Sequence, residues 1–92
     1  MKNLSEIRQE LDQVDREIVS LFEARMDLCR QVAEYKIAAG MPVLDSSRED
    51  QVLDSRAAYL KKAEYEPYVR DLYREFMRLS RSLQQKMIDE EK

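Results

Sequence analysis

Histidine and tryptophan are absent from this 92-residue chain, which contains one glycine, one cysteine and two prolines. Each scarcity excludes something. Without histidine there is no imidazole to move protons near neutral pH or to ligate a metal. The single cysteine, Cys29, cannot close an internal disulfide, which suits a reducing compartment. Gly40, Pro42 and Pro67 are the only strong punctuation, so the chain has few places to turn sharply and long helices follow. Excess positive charge is lacking too. The net charge is -3, whereas a phosphate backbone needs a basic surface, so any anion site must be local. No apolar run approaches the roughly 20 residues of a membrane span. Met1 to Glu10 lacks the apolar stretch of a signal peptide. The expectation is a cytoplasmic protein that binds neither nucleic acid nor membrane.

What is present is a helical pattern. Hydrophobic residues make up 43% and charged residues 38%, too apolar for a disordered tail and very polar for a self-contained globule. Leu4, Ile7, Leu11, Val14, Ile18, Leu21, Arg25, Leu28, Val32 and Tyr35 alternate in steps of three and four, which is a heptad seam. Nothing breaks it before Gly40, which reads as a C-terminal cap with Pro42 just beyond. With Ser5 as N-cap, a helix over about 5–39 would be roughly 52 Å long. A compact globule of this length is only about 32 Å across. The seam therefore needs a second chain to cover it, or the pattern hides a break that folds it into a monomeric hairpin.

Two more helices are expected. Asp45, Ser46 and Ser47 offer N-caps, and Ser46 with Glu49 makes a capping-box pattern. Val52, Leu53, Leu60 and Ala63 give this helix a weak apolar face and carry it to about Lys62. Pro67 suits the first turn of a third helix, over about 67–89, with Val69, Leu72, Tyr73, Phe76, Met77, Leu83 and Met87 on its buried side. There are no strand-like alternations and no internal repeats. The reading is a single all-α domain over 1–92, with three helices and a long first one.

The informative residues break the pattern. Arg25 sits in the seam, where a buried unpaired charge costs several kcal/mol. Lys36 lies three turns later, on one stripe with Arg25, Cys29 and Val32. Their long side chains either close on a small anion or find a carboxylate and solvent instead. Arg8 is about 25 Å from Arg25 along the axis, so one small ligand meets both only if an antiparallel partner helix delivers its own Arg8. Otherwise Arg8 is a solvated surface arginine. Ser80 and Gln84 bring a hydroxyl and an amide to the third helix's inner stripe, as ligand contacts or as a structural hydrogen bond. Glu49 and Asp45 are capping residues or ligand contacts, and Arg48 stands where the second helix's free N–H groups favour an anion.

Taken together, Arg8, Asp15 with Arg25, Lys36, the Pro42-Val43 loop, Asp45-x-x-Arg48-Glu49, and Ser80 with Gln84 resemble the all-helical chorismate mutases over Ile7 to Gln84. The resemblance implies an intertwined homodimer, a helical bundle with two active sites, that converts chorismate to prephenate by an intramolecular Claisen rearrangement, in the branch leading to phenylalanine and tyrosine. It implies that Arg25 and the partner's Arg8 grip the substrate's two carboxylates. Lys36 would contact a carboxylate and the ether oxygen, and Gln84 would donate to that oxygen. Glu49 and the backbone of Asp45 would hold the ring hydroxyl, Ser80 would assist at a carboxylate, and Arg48 would lie near the site. No cofactor or metal is implied. Arg81 departs from the pattern, falling where some relatives carry an apolar residue near the substrate, and the turn from Ala63 to Glu66 is short.

Two rivals remain. Isochorismate–pyruvate lyases are similar and keep the arginines, the lysine and the glutamine, but lack a carboxylate where this chain has Glu49. A non-catalytic helical dimerisation or regulatory module is the other, and a buried seam charge such as Arg25 is of no use to it.

Overall fold

A computed structural model describes residues 1–91 of the chain. It is all-helical in the order α1 (Leu4–Ala39), α2 (Ser46–Ala58), a short 3-10 turn (Ala63–Tyr65) and α3 (Glu66–Glu90), with no strand among the described residues. The long first helix expected from the heptad seam is present, unbroken for 36 residues. The hairpin alternative is thereby removed for this segment.

The ends follow local chemistry. Asn3, rather than Ser5, caps α1: its side chain accepts from the Glu6 N–H at 2.9 Å, and the Glu6 carboxylate reaches back to the Asn3 N–H. This reciprocal pairing satisfies donors that the first turn leaves free. At the other end Gly40 takes the left-handed conformation, φ 68°, that a side chain would resist. Its N–H meets the Ile37 carbonyl and the Met41 N–H meets that of Lys36, so the chain turns off the helix at once.

The second helix begins on Asp45, whose carboxylate accepts from the Arg48 N–H at 3.0 Å. It ends at Ala58, a turn earlier than the expected Lys62. The Leu60 N–H bonds the Ala57 carbonyl, and this turn returns Leu60 to a half-buried position although the helix has stopped. Pro67 sits in the first turn of α3, as expected, where its missing N–H costs nothing.

Helix α3 is the shared partner: α1 and α2 each pack on it and not on one another. Phe22 of α1 meets Phe76 of α3 with ring centroids 5.7 Å apart, and Tyr73 stands edge-on to Phe76 at 5.1 Å. Arg70 of α3 ties the outer end of α2, bonding Asp54 at 3.1 Å and its own Glu66 at 3.0 Å. These two carboxylates hold the Arg70 guanidinium above its ordinary pKa, Asp54 most strongly.

The result is an elongated body of 56 × 26 × 14 Å with a radius of gyration of 16.6 Å, against about 12 Å for a compact domain of this length. Its core is thin. Among the described residues only Ala33, Val52 and Met77 are buried apolar side chains, joined by the polar Gln84. The seam of α1 lies open: Leu4, Ile7, Leu11, Val14, Ile18 and Leu21 are 41–70% exposed. Leu72, expected on the buried side of α3, is 48% exposed and joins this bare surface. No helix among the described residues is long and apolar enough to cross a membrane.

Candidate active site

The three helices enclose one cavity of about 160 Å³ beside the thin core. Helix α1 contributes the stripe read from the sequence, Arg25, Cys29, Val32 and Lys36. The loop and the start of α2 contribute Asp45, Arg48 and Glu49, and α3 contributes Ser80, Arg81 and Gln84. Seven of the eight candidate residues thus line one space. Arg8 does not. It is exposed near the start of α1, seventeen residues and about 25 Å from Arg25, and it makes no hydrogen bond or ion pair within the chain among the described residues.

Arg25 is held without a carboxylate. Its guanidinium lies 5.5 Å from the Tyr73 ring centroid and 5.3 Å from that of Phe76, and Nη1 reaches Cys29 Sγ at 3.6 Å. Aromatic faces steady a cation without neutralising it, so its donors stay available to an anion. Lys36 donates from Nζ to the Val43 carbonyl at 3.0 Å. An ammonium has three donors, so two remain. That bond depends on the turn at Gly40, which returns the loop to the helix just left.

Gln84 is 5% exposed, the most buried polar side chain of the described residues. Its Nε2 donates to Ser80 Oγ at 3.3 Å, and its Oε1 is buried without a partner. A buried amide oxygen left alone costs about 1–3 kcal/mol. Turning the amide over lets the Ser80 hydroxyl donate to Oε1 and puts the NH2 group in the buried, partnerless position, where only an acceptor brought in by a ligand would satisfy it.

The acidic residues divide their roles. Asp45 is the cap of α2, as its position suggested. Glu49 is not the capping partner that the Ser46 pattern offered. Because the cap falls on Asp45, the Glu49 carboxylate is free to turn inward, where Arg81 Nη1 bonds both of its oxygens. Arg48 instead directs Nη1 to Gln51 at 2.8 Å.

Sequence reasoning missed two members of the cavity wall. Arg56 of α2 lines it, lying 5.7 Å from the Tyr59 ring centroid with Nη1 on Ser55 Oγ. Arg81 was noticed only as a departure, yet it follows Ser80 and precedes Gln84 by three positions, a spacing that puts it on the same side of α3. Five cationic side chains and two carboxylates therefore surround one cavity in a chain whose net charge is -3. Such a space selects a compact molecule carrying more than one negative charge. No group of histidine, cysteine and carboxylate side chains suited to a metal ion occurs among the described residues.

Comparison with known proteins agrees with this chemistry. The family profile described as chorismate mutase type II matches residues 7–85. A T-protein of Haemophilus influenzae is 36% identical over 87% of this chain and 22% of its own length. A chorismate mutase of Methanocaldococcus jannaschii is 37% identical over 59% of this chain and 54% of its own. A bifunctional chorismate mutase/prephenate dehydratase of Aquifex aeolicus is 29% identical over 95% of this chain and 25% of its own. The chain thus spans from about a fifth to about half the length of these relatives. No solved structure gives a significant match.

Proposed function

The chain belongs to the chorismate mutase type II family, and we propose that it converts chorismate to prephenate in a site completed by a second copy of itself. The observation that carries the activity is the gathering of Arg25, Lys36, Ser80 and Gln84, from opposite walls, around one cation-rich cavity.

The chemistry asks little of a protein beyond shape and charge. An intramolecular rearrangement needs no nucleophile and no cofactor. It needs the substrate folded into a chair-like conformer, an orientation effect. It also needs donors where the breaking C–O bond gathers negative charge. Arg25, steadied by two aromatic rings, grips one substrate carboxylate. Lys36, with two free N–H donors, reaches a carboxylate and the ether oxygen. Gln84 donates to the same oxygen from the orientation in which Ser80 satisfies Oε1. Glu49 and the backbone of Asp45 receive the ring hydroxyl, and Arg48 adds positive charge at the mouth.

The second copy follows from the bare seam and from Arg8. Ile18, Val19, Leu21, Phe22, Leu72, Tyr73 and Phe76, together with Arg25, line a largely apolar groove of about 590 Å³ that continues the open face of α1. Two copies with α1 antiparallel cover each other's seams, and each brings Arg8 toward the other's Arg25. The fold is then an intertwined homodimer with two equivalent sites.

The test pairs an absorbance assay for chorismate loss with a mass measurement in solution, and includes isochorismate as a second substrate. Prephenate from chorismate and a mass twice that of the chain are expected. Pyruvate from isochorismate without prephenate from chorismate would establish the lyase instead, and inactivity of a folded chain on both would favour the non-catalytic dimerisation or regulatory module.

A further inference from the structure

Arg81 is a charged cavity residue for which the proposed reaction has no use, as is Arg56, and the surroundings of Arg81 argue for one. Its guanidinium crosses from α3 to α2 and bonds both oxygens of Glu49, at 34% and 24% side-chain exposure. The pair stands in the cavity wall beside Lys36, Ser80 and Gln84. A staple between α2 and α3 already exists at the other end, where Arg70 bonds Asp54. Glu49 is also the acidic wall residue whose carboxylate does not cap a helix, since Asp45 accepts from the Arg48 N–H.

A bare carboxylate in this position has two faults. It repels an entering dianion, and it rotates among rotamers that aim its oxygens elsewhere. One guanidinium nitrogen on both oxygens remedies both, and it leaves lone pairs on each oxygen for a substrate donor. We propose that Arg81 is a positioning residue that fixes the Glu49 carboxylate and offsets its charge, so that Glu49 accepts from the substrate's ring hydroxyl without repelling the substrate's carboxylates. This role rests on the mutase reading above.

The experiment is a double-mutant cycle of Arg81→Met and Glu49→Gln, with Arg81→Lys alongside. Chorismate turnover and the calorimetric affinity of prephenate are the two readouts. Methionine keeps an apolar stem of similar reach, and lysine keeps the charge. Alone, Arg81→Met raises KM and weakens prephenate by about tenfold, with a smaller fall in kcat, the worth of one charge-assisted contact. Arg81→Lys recovers most of that loss. In the Glu49→Gln background, where no charge needs offsetting, Arg81→Met changes prephenate affinity by less than about twofold. An equal loss in both backgrounds would mean that Arg81 touches the ligand directly and would overturn the proposal. So would unchanged KM and affinity with only a lower melting temperature, the mark of a staple. Absence of turnover in the wild-type chain would overturn the mutase reading together with this role, whereas the other two outcomes, seen in an active enzyme, overturn this role alone. Should Arg81→Met melt below the assay temperature, Arg81→Lys in both Glu49 backgrounds decides: recovery supports the proposal, and a loss independent of Glu49 overturns it.

Discussion

Arg8 offers the sharpest test of the shared site, because the chain's own geometry forbids the simple alternative. Along one copy of α1, Arg8 and Arg25 are about 25 Å apart, and the candidate cavity holds Arg25 but not Arg8. In a homodimer with exchanged arginines, each site takes Arg25 from one copy and Arg8 from the other. Consider two variants, Arg8→Ala and Arg25→Ala. Each homodimer lacks one carboxylate clamp in both sites. Losing a charge-assisted contact made in the transition state costs a few kcal/mol, hence roughly 100-fold or more in turnover. Unfolding the two variants together in equal amounts and refolding them gives half heterodimers by random pairing. In each heterodimer one site receives both intact arginines and the other receives neither. About one quarter of all sites are then wild-type in composition, so the mixture recovers about a quarter of wild-type activity from two nearly dead parents. The assay is chorismate loss, with native mass spectrometry confirming that heterodimers formed. Mixed dimers without recovered activity would refute the exchange of Arg8, since two sites each built within one chain contain one defect apiece.

Other outcomes follow from the same structure. Leu11→Glu places a charge in the middle of the exposed α1 seam; solution mass is expected to halve and turnover to fall with it, and a fully active dimer would show that α1 is not the interface. The wild-type rate is expected to stay level and not to rise as pH falls from about 8 to 5, because the Gln84 amide donates without a proton that titrates. Gln84→Glu donates only when protonated, so its turnover rises as pH falls, and a profile as flat as the wild type's would remove Gln84 from the ether oxygen. On the outer face of α3, hydrogen bonding from Arg78 holds the Glu75 carboxyl below its ordinary range, with charge attraction from Arg78 adding to it. A carboxyl depressed on folding stabilises the fold above its unfolded pKa, and that stabilisation is lost as pH falls through the folded value. Thermal melts of Glu75→Gln between pH 7 and 2 should therefore lose slightly less stability on acidification than the wild type, and a steeper acid loss would contradict the sign.

How legible the molecule was in its sequence depends on which residue is asked. The length of α1 was plain, because ten seam positions keep step without a glycine or proline to interrupt them, and Gly40 marks the left-handed cap where the helix stops. The end of α2 was not. Leu53 and Leu60 are a heptad apart, so an apolar pattern runs past Ala58, while the backbone has already turned and delivers Leu60 to a half-buried position by another route. Three start signals competed within Asp45-Ser46-Ser47-Arg48-Glu49, and the choice mattered: a cap on Ser46 would have occupied Glu49, whereas the cap on Asp45 releases it. The convergence of Arg25, Lys36, Ser80 and Gln84 followed from helical spacing and family likeness. The Glu49–Arg81 contact was invisible to both, since its partners are 32 positions apart on different helices and no local rule links them.

In the proposed homodimer the thinness of each copy's core makes protein concentration a thermodynamic variable of the fold. With Ala33, Val52 and Met77 as the buried apolar side chains of the described residues, a solitary copy has little to set against the ordering entropy of its backbone, about 1–2 kcal/mol per residue. In the proposed homodimer, covering the α1 seam by a second copy would supply much of the missing stabilisation, and mass action would govern it. Dilution is expected to remove structure, assembly and the shared pocket in one concerted loss, so that the melting temperature climbs with the logarithm of total chain concentration.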